Sequence, residues 1–211
     1  MSLTFYDCAT APSPRRARIL LALKEVPHDT VEIDLRSGEQ MGDAFRSINP
    51  GLTVPALRLE DGTVLTDNAA ITAWLEATYP QPPLLGVTAM EKAEIASWNS
   101  RVEMEFGMGV ASALRNSTPT MKGRALPGPH DYEQIPALAE RGVQMVDNFF
   151  QTLEAHLEGR NFIAGGRLSV ADVTCFVFMD FGKVVRKQPG EECANIARWR
   201  DGLREREAFR L

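Results

Sequence analysis

Apolar positions alternate at the start of the chain and follow a helical period towards its end. Residues 3–6 read as a short strand, and Pro12 and Pro14 then precede a helical stripe of Ile19, Leu23 and Val26. Val31, Ile33 and Leu35 alternate with Glu32 and Asp34, which predicts a second strand parallel to the first across the intervening helix. A short helix is expected around Met41–Ile48. Leu57 and Leu59 then alternate with Arg58 and Glu60, and Asp61-Gly62 supplies a hairpin turn into Thr63-Val64-Leu65. A helix from about Asp67 to Tyr79 stops before Pro80. The order βαβαββα is thioredoxin-like.

Pro80, Pro82 and Pro83 fall within four residues, a density that neither a helix nor an interior strand sustains. The expected organisation is therefore an α/β domain over residues 1–80, a linker over 81–87 and an all-α helical bundle over 88–211. Past the linker, Ile95, Trp98, Val102, Phe106 and Val110 form one stripe, and Val146, Phe149, Phe150, Leu153 and Leu157 another. Pro119, Pro127, Pro129 and Pro136, with Gly123 and Gly128, mark a long irregular connection, a candidate cover for a substrate site.

Composition narrows the partners. With 211 residues, 44% of them apolar, the chain can bury two cores. Its net charge of −5 comes from mixed charges without a basic block, so nucleic acid is not an expected partner. No apolar run reaches the roughly 18 residues that span a bilayer, and the first residues lack the charged and apolar regions of an export signal; no membrane association is expected. Cys8, Cys175 and Cys193 are widely spaced and odd in number, fitting neither a disulfide framework nor a metal site, so a reducing, cytoplasmic setting is expected.

Four local motifs carry candidate chemistry. Asn49-Pro50-Gly51-Leu52-Thr53-Val54-Pro55-Ala56-Leu57 puts proline at the start of an internal strand, where its missing N–H is tolerated. A cis Val54-Pro55 bond would leave Val54 backbone groups open to an extended peptide; a plain loop-to-strand turn needs the same residues. In Leu65-Thr66-Asp67-Asn68-Ala69, Asp67 or Asn68 is an N-cap whose helix turn attracts a carboxylate, while Asp67 suits an ammonium group. In Cys8-Ala9-Thr10-Ala11-Pro12-Ser13-Pro14, hydroxyls precede a helix whose dipole favours an anion; Ser13 also serves as an N-cap with Pro14 at the first helical position. Ser169 and Asp172, after Asn161-Phe162-Ile163-Ala164-Gly165, have capping-box spacing and a structural role.

The Val-Pro strand start, the acidic-polar pair opening the third helix and the Ser-Val-Ala-Asp box after Phe-Ile-Ala-Gly together resemble the cytosolic glutathione S-transferases, of a bacterial type, over essentially the whole chain. The resemblance implies glutathione as co-substrate and no metal. It implies that Val54 pairs with the cysteinyl unit beside a cis Pro55, that Asp67 and Asn68 hold the γ-glutamyl end, and that Gln40 meets the glycyl carboxylate. Two departures stand out. Asp67-Asn68 replaces the family's Glu or Gln followed by Ser, and the serine of serine-type members falls on Ala11. Ala11-Pro12-Ser13-Pro14 looks like a relative of the Thr-Pro-Asn-Gly segment of members that favour disulfide reduction, which makes Ser13 the first candidate to hold the thiolate and Thr10 the second.

The expected activity is transfer of the glutathione thiolate to a hydrophobic electrophile. Glutathione-dependent disulfide reduction or peroxidase activity, and non-catalytic ligand binding, are the alternatives. Arg101, Met104, Met108 and Ser112, at i, i+3, i+7 and i+11, are candidates to line the electrophile pocket, although methionines at such spacing also serve ordinary packing. The family resemblance further implies a homodimer.

Overall fold

The sequence begins with a strand, β1 (Thr4–Asp7), followed by α1 (Pro12–Leu23), β2 (Asp29–Glu32), α2 (Asp43–Arg46), β3 (Ala56–Arg58), β4 (Val64–Leu65) and α3 (Asn68–Thr78) in the computed structural model, which describes residues 2–211. These elements form one unit, reaching to Pro82 and joined by residues 127–130 and Leu211. The sheet order is β2-β1-β3-β4, with β2 parallel to β1 and both other pairs antiparallel. This is the expected βαβαββα topology. At the hairpin, Leu59 N–H donates to the Thr63 carbonyl (2.8 Å), and Gly62 takes the left-handed φ of +88° that the turn demands.

The second strand differs from its sequence reading. All four residues of β2 are exposed, and the alternation at Val31, Ile33 and Leu35 runs beyond the end of the strand. As a sheet edge, β2 needs no buried face; Ile33, just past it, still donates to the Asp7 carbonyl (2.8 Å) and enters the core beside Tyr6, Phe45 and Val54.

The helices α1 and α3 pack against each other. Lys24, at the end of α1, buries its ammonium group. Its Nζ donates to the carbonyls of Tyr79 (2.6 Å) and Pro82 (2.9 Å) and pairs with Glu76 (2.8 Å), thereby satisfying acceptors at the C-terminus of α3.

The other unit, residues 83–126 with 131–210, is helical: α4 (Ala89–Arg101), a π-helical segment over Val102–Gly107, α5 (Met108–Ser117), α6 (Pro136–His156), α7 (Val170–Phe181) and α8 (Ala194–Arg204). Phe106 stacks on Phe149 at 4.9 Å and meets Phe150 and Phe178 edge-on. At the α5–α6 crossing, a Cβ on Gly142 would lie 2.5 Å from the Gly109 carbonyl oxygen and 2.7 Å from Ala113 N, so the close approach requires glycine. The apolar α7 is buried along nearly its whole length. Among the described residues, no helix is long and apolar enough to cross a membrane.

Candidate functional site

The loop before β3 is built around Asn49. Its buried amide donates to the Thr53 carbonyl (2.7 Å) and accepts from Gly51 N–H (2.8 Å), fixing the turn that leads to Val54. The Val54-Pro55 bond is cis. The ladder with β1 starts only at Ala56, so among the described residues the Val54 N–H and C=O have no partner. An extended peptide could pair with both.

The start of α1 differs from the sequence reading. Ala11, with no side-chain cap, is the N-cap, and Pro12 is the first helical residue, so Ser13 and Pro14 lie inside the first turn. The reason is that Pro12, like Pro14, has φ already set for a helix and needs no donor there. This arrangement thins out the helix's unpaired donors. Pro12 and Pro14 have no N–H, and Arg15 N–H reaches the Ala11 carbonyl (3.4 Å), which leaves Ser13 N–H unpaired in that turn. The Ser13 side chain is half-buried, while Thr10 is exposed with its Oγ1 3.6 Å from Cys8 Sγ.

Two clamps hold this segment. Asp7, buried at the end of β1, accepts from Arg18 Nε (2.7 Å), from the Arg18 guanidinium a second time (2.8 Å) and from Cys8 N–H (2.7 Å); Arg18 also reaches the Cys8 carbonyl at 3.4 Å. A bidentate pair of this kind adds geometric definition as well as energy. From the other side, Asn68 Nδ2 donates to the Ser13 carbonyl (3.1 Å), joining the first turn of α3 to the first turn of α1. Among the described residues, Asn68 Oδ1 is buried without a partner.

Asp67 is the N-cap of α3: it accepts from Ala70 N–H at 2.8 Å, and the residue is exposed. Gln40, in a single turn over Glu39–Met41, is 3% exposed, and its Oε1 is buried with no partner. An unmade hydrogen bond on a buried amide is uncommon in folded proteins; this oxygen is an acceptor and awaits a donor, whereas a carboxylate would pair with the Gln40 amide nitrogen. Among the described residues, no group of three His, Cys, Asp or Glu side chains is placed to hold a metal ion.

The helical unit carries the other candidates. Arg101 is already occupied, since its Nε donates to Glu105 (2.9 Å) and its guanidinium lies over Trp98 at 4.7 Å. Met104 and Met108 are 62% and 43% exposed, too open for core residues. Ser112 is half-buried, near the Gly142 crossing. The π segment between Arg101 and Met108 has wider turns than an α-helix, so the regular spacing assumed from the sequence does not hold across it.

Residues 10–78 match the family described as glutathione S-transferase, N-terminal domain, and residues 118–207 match the glutathione S-transferase C-terminal domain. Glutathione S-transferase 2 of Saccharomyces cerevisiae is 31% identical over 97% of this chain and 86% of its own length. The chain belongs to the glutathione S-transferase family. The fold agrees: a glutathione S-transferase domain-containing protein of Marinobacter aquaeolei VT8 superposes with a TM-score of 0.86 at 30% identity, covering 98% of this chain and 99% of that one. The Saccharomyces cerevisiae protein Gtt2 gives 0.88 at 29% identity, covering 98% of each.

Within this member of the family, Asp7 and Arg18 escaped the sequence reading. A carboxylate closing an otherwise apolar strand, Leu3 to Tyr6, was the available signal, because a charge there needs a buried partner.

Proposed function

We propose that this chain binds glutathione and transfers its thiolate to a small hydrophobic electrophile. The observation that carries this reading is the unpaired Val54 backbone beside a cis proline, presented by a chain of the glutathione S-transferase family. Val54 pairs with the cysteinyl unit, Asp67 faces the ammonium group of the γ-glutamyl end, and Gln40 takes the glycyl carboxylate. Ser13, through its N–H and hydroxyl, holds the thiolate, with Thr10 in second place. Met104, Met108 and Ser112 receive the electrophile; Arg101 borders it, already paired with Glu105. Reduction of a disulfide would use the same glutathione anchors, and parallel assays with an aryl halide and a disulfide separate the two activities.

Binding is tested directly. The protein should be retained on immobilised glutathione, and millimolar free glutathione should raise its melting temperature, because a ligand that binds only the native state stabilises it. Absence of both effects removes the proposal.

The two γ-glutamyl candidates should behave differently. Asp67→Asn keeps a cap for α3 but loses the charge, and should weaken glutathione binding about fivefold, a modest value because the group is exposed. Asn68→Ala should change affinity less than Asp67→Asn does, while disturbing the thiol through the lost bond to Ser13. Isothermal titration of both variants decides; equal, negligible effects place the anchor elsewhere.

A homodimer forms part of the proposal. Sedimentation should give twice the chain mass of 23.3 kDa, and a concentration-independent single-chain mass rejects it.

A further inference from the structure

Near the end of α5 two arginines, Arg115 and Arg124, lie together without an ion pair among the described residues. Arg115 is half-buried, and its Nη1 donates to the Arg124 carbonyl at 2.9 Å. The Arg115 carbonyl in turn accepts from Gln134 Nε2 at 2.7 Å. Arg124 belongs to a closed loop: it bridges to Tyr132, Ala125 N–H donates to the Tyr132 carbonyl (3.1 Å), and Tyr132 N–H donates to the Gly123 carbonyl (2.8 Å). Both arginines are therefore held by backbone bonds at each end of the loop. Among the described residues neither forms an ion pair, although Asp131 and Glu133 lie on the returning limb.

Burial, and then the nearby charge of Arg124, push the Arg115 pKa below its ordinary value. One backbone carbonyl engages only part of the Arg115 guanidinium, whose planar fork is suited to a carboxylate. Arg115 also continues the candidate electrophile face, since Met108, Ser112 and Arg115 stand at i, i+4 and i+7 on α5.

We infer that Arg115, supported by Arg124, binds the carboxylate of an anionic aromatic or aliphatic substrate whose apolar part lies along Met104 and Met108. This rests on the reading that the face receives the electrophile. Arg101, before the π segment, is paired with Glu105 and does not compete for the anion.

A pair of matched electrophiles tests the inference: 4-chloro-3,5-dinitrobenzoate and its uncharged amide, from each of which the glutathione thiolate displaces chloride. Their unreactive analogues, 3,5-dinitrobenzoate and 3,5-dinitrobenzamide, report binding alone, measured by calorimetry with glutathione present. The wild type should bind the benzoate at least about tenfold more tightly than the amide, as one charge-assisted contact allows. Arg115→Gln should abolish that preference by weakening the benzoate alone, Arg115→Lys should keep part of it, and Arg124→Gln should reduce it less. Equal affinity of the wild-type protein for the two analogues overturns the inference without recourse to any variant. Equal weakening of both analogues by Arg115→Gln also overturns it, because the arginine would then be structural. Turnover separates the two levels of the reading. A binding preference with no conjugation of either electrophile upholds the anion site and removes the transferase reading; conjugation of both with no binding preference does the reverse.

Discussion

Replacing Asp172 with alanine should lower the unfolding free energy by about 3–5 kcal/mol, the range for removing one partner from a buried charged network. The carboxylate is fully buried at the start of α7 and accepts four hydrogen bonds: from Ile163 N–H (2.8 Å), Trp199 Nε1 (2.9 Å), Ser169 N–H (3.0 Å) and Ser169 Oγ (2.9 Å). One side chain thus joins the loop before α7, the helix start and α8. Alanine would leave these donors without their acceptor, each at a cost of about 1–3 kcal/mol where water cannot reach. Urea unfolding checks the loss, and a change under about 1 kcal/mol would show that the network relaxes.

The same residue gives a pH signature. Burial pushes its pKa up to about 6, against the four hydrogen bonds, which pull it down. In the unfolded chain an aspartate titrates near ~3.9. The native state therefore keeps a proton that the unfolded chain releases, and this contribution is fully present below about pH 4 and lost by about pH 6, roughly 3 kcal/mol in all. Asp172→Asn cannot titrate. The stability gap between wild type and Asp172→Asn should accordingly shift in favour of the wild type as pH falls from about 6 to about 4; a constant gap means that Asp172 is already ionised throughout.

Ser13→Pro should reduce kcat/KM for glutathione conjugation at least about 100-fold, the scale of losing even one donor aimed at a developing or resident anion. Proline is compatible with a first helical turn and removes both the unpaired N–H and the hydroxyl. Ser13→Ala removes the hydroxyl alone. It should raise the pKa of bound glutathione by about one unit, as the loss of one hydrogen bond to a charged group implies, and leave affinity within a few-fold. Thr10→Ala should do less, since that hydroxyl already faces Cys8 Sγ. Thiolate absorbance against pH reads all three variants. A larger shift from Thr10→Ala reverses the assignment, and unchanged titrations in every variant place the donor on another group.

Much of the fold was legible because local rules and tertiary needs agree. The Asp61-Gly62 turn, the Asp67 cap and the Val54-Pro55 strand start each need a particular residue type, so the sequence displays them. What was missed depends on distance or on competition. Ser13 was read as the helix start, but the rigid ring of Pro12, already set for a helix, moves the start to Ala11. The Asp7–Arg18 clamp, the Asn68–Ser13 bond and the Arg115–Arg124 pair are tertiary, with no repeating pattern to announce them. The π segment did leave a trace. Trp98, Val102, Phe106 and Val110 are all buried yet stand four residues apart, three times in succession. In a regular α-helix that stripe would drift by about 120°, at 100° per residue, so the wider turn is what keeps all four inside.

That wider turn is also a phase setter. Deleting a single residue within 102–107 would let the helix close up as ordinary α-helix and keep the phase of α5 against α4, because eleven residues at about 100° each bring Val110 back to within about 20° of Trp98. A further inserted residue would instead turn α5 by about 100°, and because Gly109 fixes α5 against α6 the rotation would fall on α4, carrying Trp98 and Ile95 out of the core. Relatives should therefore lack one residue at this point more often than they carry an extra one, with Trp98 and Val110 facing the core in either form.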